Sequence, residues 1–300
     1  MKKYGGVILD NIKNACNEDP SLKTLQVGSV ELAYHDVGDG PLVILLHGFP
    51  DTAYTWKKTQ TILKDEGYRS IALYLRGYFP SEIPADGDYS LSTLVSDVIK
   101  LVEKLGYKKC ILIGHDWGAM ITYAAALLYP NIVTKIITLA IPPPQVSHTN
   151  LRERIVRPHN IYLGWGKIAH WWLKKKEFKA LDFFYRQWSP NWLIPQEHMK
   201  HIKQVFSLPG RAAAAVDYYS APMGKEVESI INSAITQPTL VIYGLDEPKV
   251  RLSMFSNAES VLTDTSVVSA FKKAGHWPHR ESPIKFHQEL VKFLAETSIS

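Results

Sequence analysis

The chain has little cysteine: Cys16 and Cys110 are the only two in 300 residues, too few for a disulfide framework. Cys110 opens the apolar run Cys110-Ile111-Leu112-Ile113, where a small buried hydrophobe fits well. Long apolar stretches are also missing. No window approaches the ~20 apolar residues that a membrane-spanning helix needs. Behind the basic opening Met1-Lys2-Lys3-Tyr4, Val7-Ile8-Leu9 meets Asp10 too soon to form a secretory core. A cytoplasmic protein without a membrane span is the expectation. Charge of one sign is in short supply: 34 Lys and Arg against 29 Asp and Glu leave +5. The one basic run, Lys174 to Lys176, reads as a solvated face, so a nucleic-acid binder built on clustered charge is excluded. There is no internal repeat, no low-complexity tract, no Gly-rich phosphate loop and no His/Asp/Glu cluster at ligand spacing; no metal and no cofactor is implied.

What is present is 46% hydrophobic and 21% charged residues, enough for one large core with a substantial insertion. Two short strands turning at Gly28 are expected between Thr24 and Tyr34. Pro41 to Leu46 is apolar without alternation, as in a strand buried on both faces. A helix from about Thr55 to Glu66, a strand at Ser70 to Leu73, a helix from Ser92 to Leu105 and a strand at Cys110 to Ile113 follow. An alanine-rich helix from Trp117 to Leu128 and a strand at Val133 to Leu139 continue the rhythm. This order predicts an α/β fold with a mostly parallel twisted sheet flanked by helices. After Pro142-Pro143-Pro144 the chain turns rich in Trp, Tyr, His, Lys and Arg with helical periodicity. The rhythm resumes at Pro238 to Gly244 and Ser266 to Phe271, and closes on amphipathic Ile284 to Leu294. The expected organisation is a core of residues 1–142 and 227–300 with a helical cap, 143–226, inserted.

The chemistry gathers at the ends of these strands. Gly114-His115-Asp116-Trp117-Gly118-Ala119 lies between an apolar strand and a helix, the setting of a nucleophile elbow. Its glycines permit a sharp strand-to-helix turn that holds the middle side chain above the sheet at the positive end of a helix. Here that residue is Asp116, and an ionised carboxylate can attack a saturated carbon without help from a base. The plainer alternative is an Asp that only caps the helix. His47-Gly48-Phe49-Pro50 follows the buried strand; a fold with such an elbow can place two oxyanion-binding amides there and just after the elbow residue, making Phe49 and Trp117 the candidates. Alone, the same tetrapeptide is a turn. His276, in Gly275-His276-Trp277, follows the nucleophile in the chain order a catalytic base requires, although any one of eleven histidines can be structural. Asp246 and Glu247 share the loop after the strand from Thr239 to Tyr243, and either can supply the acid that orients the base.

Together the strings HGFPD (His47 to Asp51), LRGYFPSE (Leu75 to Glu82), GHDWGA (Gly114 to Ala119) and AGHWPHRESP (Ala274 to Pro283) resemble the epoxide hydrolase branch of the α/β-hydrolase superfamily, over about Val27 to Leu294. The resemblance implies Asp116 as nucleophile and His276 as base. Counted from Pro238, it also favours Glu247 over Asp246. Enzymes similar to this carry two cap tyrosines that hold the epoxide oxygen. Pro209-Gly210 through Asp217-Tyr218-Tyr219 matches one such segment and points to Tyr219; Arg157-Pro158-His159-Asn160-Ile161-Tyr162 matches the other more loosely and points to Tyr162. The chain departs from its relatives at Tyr74, where they commonly have Asp, at Ser220, where they have Arg, and after Tyr162, where Leu-Gly-Trp-Gly-Lys replaces an apolar run. The implied partner is a small molecule, an apolar or aromatic epoxide, for a monomer or homodimer. Trp165, Trp171, Trp172, Phe184 and Trp188 are expected to shape its pocket. Two other readings use the same residues: a dehalogenase with the same nucleophile, and a non-catalytic relative that senses a ligand. Phe49, Trp117 and Met120 stand where dehalogenases place their halide donors, which argues against the first.

Overall fold

The computed structural model describes residues 19–147 and 159–296; Cys16 and the Arg157-Pro158 pair lie outside the described residues. Among the described residues, eight strands form one sheet in the order β1-β2-β4-β3-β5-β6-β7-β8. They are β1 (Leu22–Val27), β2 (Val30–Val37), β3 (Leu42–Leu46), β4 (Arg69–Leu73), β5 (Cys110–His115), β6 (Val133–Leu139), β7 (Thr239–Gly244) and β8 (Val267–Phe271). β1 and β2 form the expected hairpin, turned at Gly28 with φ +58°. β2 meets β4 antiparallel and every later pairing is parallel.

Continuous apolarity has the predicted consequence. Every residue of β3, β5 and β7 is buried, and because a strand's side chains alternate, one run feeds two cores. Leu42, Ile44 and Leu46 enter one cluster while Val43 and Leu45 enter the cluster on the opposite face. Each such side chain contributes ~1.5–3 kcal/mol on leaving water. The helices α1 (Lys57–Asp65), α2 (Leu91–Lys104) and α3 (Trp117–Leu128) connect these strands. α2 starts a residue earlier than its apolar period suggests, because the Ser90 hydroxyl accepts the Thr93 amide as a cap.

Between β6 and β7 the described residues carry helices and no strand: α4 (His159–Tyr162), α5 (Lys167–Trp188), α6 (Gln196–Ser207), α7 (Arg211–Asp217) and α8 (Lys225–Ile230). α5 is interrupted at Lys175–Phe178, where Lys176, Glu177 and Phe178 have φ of 51°, 53° and 61°. The core closes with α9 (Lys249–Ser256), α10 (Pro278–Glu281) and α11 (Pro283–Glu296). No helix among the described residues is long and apolar enough to cross a membrane.

Candidate active site

The parallel strands end on one edge of the sheet, and the loops leaving β3, β5, β7 and β8 meet there. At the β5–α3 turn, Asp116 has φ 53° and ψ −115°, a conformation in which a non-glycine residue is strained. Its side chain does not cap α3, so the plainer helix-cap role is not the one it adopts. The turn exists because its neighbours lack side chains. A Cβ at Gly48 would stand 2.6 Å from Asp116 Oδ1, and one at Gly118 would strike the Leu46 carbonyl oxygen.

Asp116 Oδ1 accepts the Phe49 amide at 3.0 Å. The loop carrying Phe49 is braced by His47, whose Nε2 accepts the Leu75 amide at 3.2 Å. That makes Nδ1 the protonated nitrogen, aimed at Gly48 O 3.1 Å away. Burial drives the His47 pKa down to about 4, so this brace stays neutral. Trp117, the other amide candidate, is the first residue of α3, and its ring meets those of Tyr218 and Tyr219 edge to face.

His276 stands between two carboxylates. Its Nε2 lies 3.3 Å from Asp116 Oδ2 and its Nδ1 3.1 Å from Glu247 Oε1. Burial pulls the imidazole pKa down, but the two carboxylates outweigh it and hold the group above its ordinary value. Glu247 is itself held by Arg251 Nε at 3.1 Å, and Arg251 also donates to the Ala140 carbonyl. The neighbouring Asp246 instead turns outward to accept from Asn191 at 2.8 Å. The structure thus brings Glu247 to His276 and leaves Asp246 at the surface.

Arg251 and Glu281 were not singled out from sequence. Glu281 accepts the amides of Gly275 and Trp277 at 2.9 Å and the Ser189 hydroxyl at 2.6 Å. It thereby fixes the loop that carries His276. The signals were available: Arg251 follows Glu247 by one helical turn, and Glu281 sits inside AGHWPHRESP. The His276 amide donates to the Trp188 carbonyl at 2.9 Å and to the Ser189 hydroxyl at 3.0 Å, so the inserted helices hold the loop from the other side.

The two candidate tyrosines lie along one aromatic wall. Tyr219 meets Phe49 edge to face at 5.5 Å; Phe49 meets Phe184 at 5.6 Å; and Tyr162 stacks on Phe184 at 6.3 Å. Trp172 and Trp188 pack on Phe184 as well, and Trp188 meets His276 at 5.1 Å. Trp165 and Trp171, expected in the pocket, are instead exposed: Trp165 lies in the turn between α4 and α5, and α5 around Trp171 is apolar on both sides, so its period alone could not say which side turns inward. Tyr78, from the LRGYFPSE string, packs on His47 at 4.6 Å, and its buried hydroxyl has no hydrogen-bond partner among the described residues. Tyr74 turns to the opposite core, where its hydroxyl pairs with His35 at 3.0 Å. Ser220 is exposed.

Residues 41–161 match a family model described as alpha/beta hydrolase fold. The chain is 30% identical to Epoxide hydrolase 4 of Mus musculus, with 94% of this chain and 82% of that protein covered. Epoxide Hydrolase A from Mycobacterium thermoresistibile superposes with a TM-score of 0.79 at 25% identity, covering 94% of this chain and all of that one (100%). The epoxide hydrolase from an endophytic Streptomyces has the same fold, with a TM-score of 0.80 at 23% identity over 92% of this chain and 96% of that one.

Proposed function

Because this chain belongs to the epoxide hydrolase family of the α/β-hydrolase fold, we propose that it opens an apolar or aryl epoxide to a 1,2-diol through an ester on Asp116, with residues 143–226 acting as a cap over the reaction. The observation that carries this reading is the Asp116 carboxylate at the apex of a strained turn, faced by a histidine that a second carboxylate orients.

Asp116 Oδ1 is held by the Phe49 amide, which leaves Oδ2 to attack. As the new C–O bond forms, the ring C–O bond breaks, and the departing oxygen takes a proton from Tyr219 or Tyr162. Burial pushes the Tyr162 phenol up to about 12, so it is protonated and able to donate at neutral pH. Esterification removes the negative charge of Asp116, one of the two that keep the His276 pKa high. The imidazole then becomes easier to deprotonate at the moment a base is wanted. His276 takes a proton from water, the hydroxide attacks Asp116 Cγ, and the Phe49 amide, with that of Trp117, receives the oxyanion at Oδ1. Collapse breaks the Cγ–Oδ2 bond, the leaving oxygen takes the imidazolium proton, and the tyrosinate regains its proton from the Asp116 carboxyl by way of solvent, so the diol departs with carboxylate, imidazole and phenol restored.

A single turnover in ¹⁸O-labelled water with enzyme in excess tests the covalent step. The first diol is expected to carry no heavy oxygen, since its new oxygen comes from Asp116; a labelled first diol rules the ester out. The His276→Gln variant is expected to accumulate protein heavier by the mass of one epoxide. Halide release from bromoalkanes without diol formation would assign the chain to dehalogenation, and neither product would leave a ligand sensor.

A further inference from the structure

We propose that the outer face formed by α4 and the first turns of α5 is a docking surface for an anionic lipid bilayer. Large apolar side chains are normally withdrawn from water, yet four of them stand out here within eleven residues of sequence. Ile161 is 46% exposed, Trp165 58%, Ile168 62% and Trp171 61%. Ile168 and Trp171 are three residues apart on α5 and so share one face. The Trp165 carbonyl accepts the Ile168 amide at 3.3 Å, which brings the preceding turn alongside.

The rim of this patch is basic. Lys167, Lys174 and Lys175 are exposed, and residues 161 to 175 carry no acidic side chain, the nearby Asp217 being paired with His170 at 2.9 Å; Lys176, Glu177 and Lys179 follow at the interruption of α5 and line the adjoining groove. Lys175 Nζ lies 4.5 Å over the Trp171 ring. Tryptophan rings favour the headgroup layer, aliphatic side chains reach the acyl boundary, and lysines attract anionic headgroups. A second copy of this chain fits poorly, because face-to-face pairing would set the same lysines against each other.

The opposite side of this segment explains what docking would serve. Leu163, Ala169 and Leu173 are buried, and Tyr162 and Trp172 pack on Phe184, which touches Phe49 beside Asp116. One helix therefore separates the outer patch from the reaction site, and an apolar epoxide dissolved in a bilayer would meet the protein at the wall of its own pocket. Only this last point rests on the proposed activity; docking itself does not.

Co-sedimentation of the full chain with phosphatidylcholine vesicles containing about one third phosphatidylserine tests it. Wild-type protein is expected to pellet with them and to be released by high salt. Two variants, Trp165→Ser/Ile168→Ser/Trp171→Ser and Lys167→Gln/Lys174→Gln/Lys175→Gln, are each expected to lower the bound fraction at least ~10-fold. Their melting temperatures should stay within about 5 °C of wild type, showing that the fold is intact. Failure of the wild type to pellet, or equal pelleting of the variants, overturns the proposal. Self-association abolished by the apolar variant in the absence of vesicle binding would assign the face to a second copy instead.

Discussion

Carboxylates crowd the neighbourhood of His276, and their partners sort them by task. Asp116 and Glu247 face the imidazole, Glu281 holds the loop beneath it, and Asp246 accepts from Asn191. Changing Asp246 to Asn is therefore expected to keep turnover within ~3-fold of wild type. Glu247→Gln should slow decay of the enzyme ester by ~10²-fold or more, read in single-turnover experiments. Its pH profile carries a second signature. A negative neighbour raises the imidazole pKa, so removing one lowers it, and the rising limb of the decay rate should move to lower pH; a limb that stays in place would mean that Glu247 does not act on His276. Arg251→Met would leave Glu247 buried without its cation, a change that costs ~3–5 kcal/mol and is measurable by urea unfolding. Sequence alone could name Asp116, His276 and the pair Asp246/Glu247, because spacing within motifs locates a loop. Within the pair, position counted from Pro238 favoured Glu247 by resemblance alone, because adjacent residues on a loop point in different directions; the contacts run the same way, Glu247 on His276 and Asp246 on Asn191.

The strands were the most legible elements. A run such as Leu42–Leu46 buried on both faces has few alternatives to a central parallel strand, and the chain order of the motifs then placed the elbow at its neighbour's end. The inserted helices were readable as helices but not as faces. On α5, exposed Ile168 and Trp171 alternate with buried Ala169 and Leu173, so both sides look like core until packing shows which one is covered. At the elbow, geometry makes a firm forecast. Gly48→Ala puts a methyl group against Asp116, and turnover is expected to drop at least ~100-fold even where soluble protein is recovered, because a displacement of about 1 Å at a reacting group has that effect.

Across the whole molecule, several histidines are buried in their neutral form. Burial, their largest influence, takes His47, His115 and His198 to about 4 and His279 well below its ordinary value. The unfolded chain binds protons at these positions between about pH 6.5 and 4, whereas the folded chain does not, so stability falls as pH drops through that window. His276, held above its ordinary value, works in the opposite direction but is outnumbered. The midpoint of thermal unfolding is expected to be at least ~5 °C lower at pH 4.5 than at pH 7.5; an unchanged midpoint would mean that these rings accept protons without unfolding. The bonds from Trp188 and Ser189 to the His276 amide carry a further consequence for traffic. Were the inserted helices to swing away as a rigid door, they would drag His276 off its station, so under the proposed reaction the product is expected to leave through shifting side chains while that hinge stays shut.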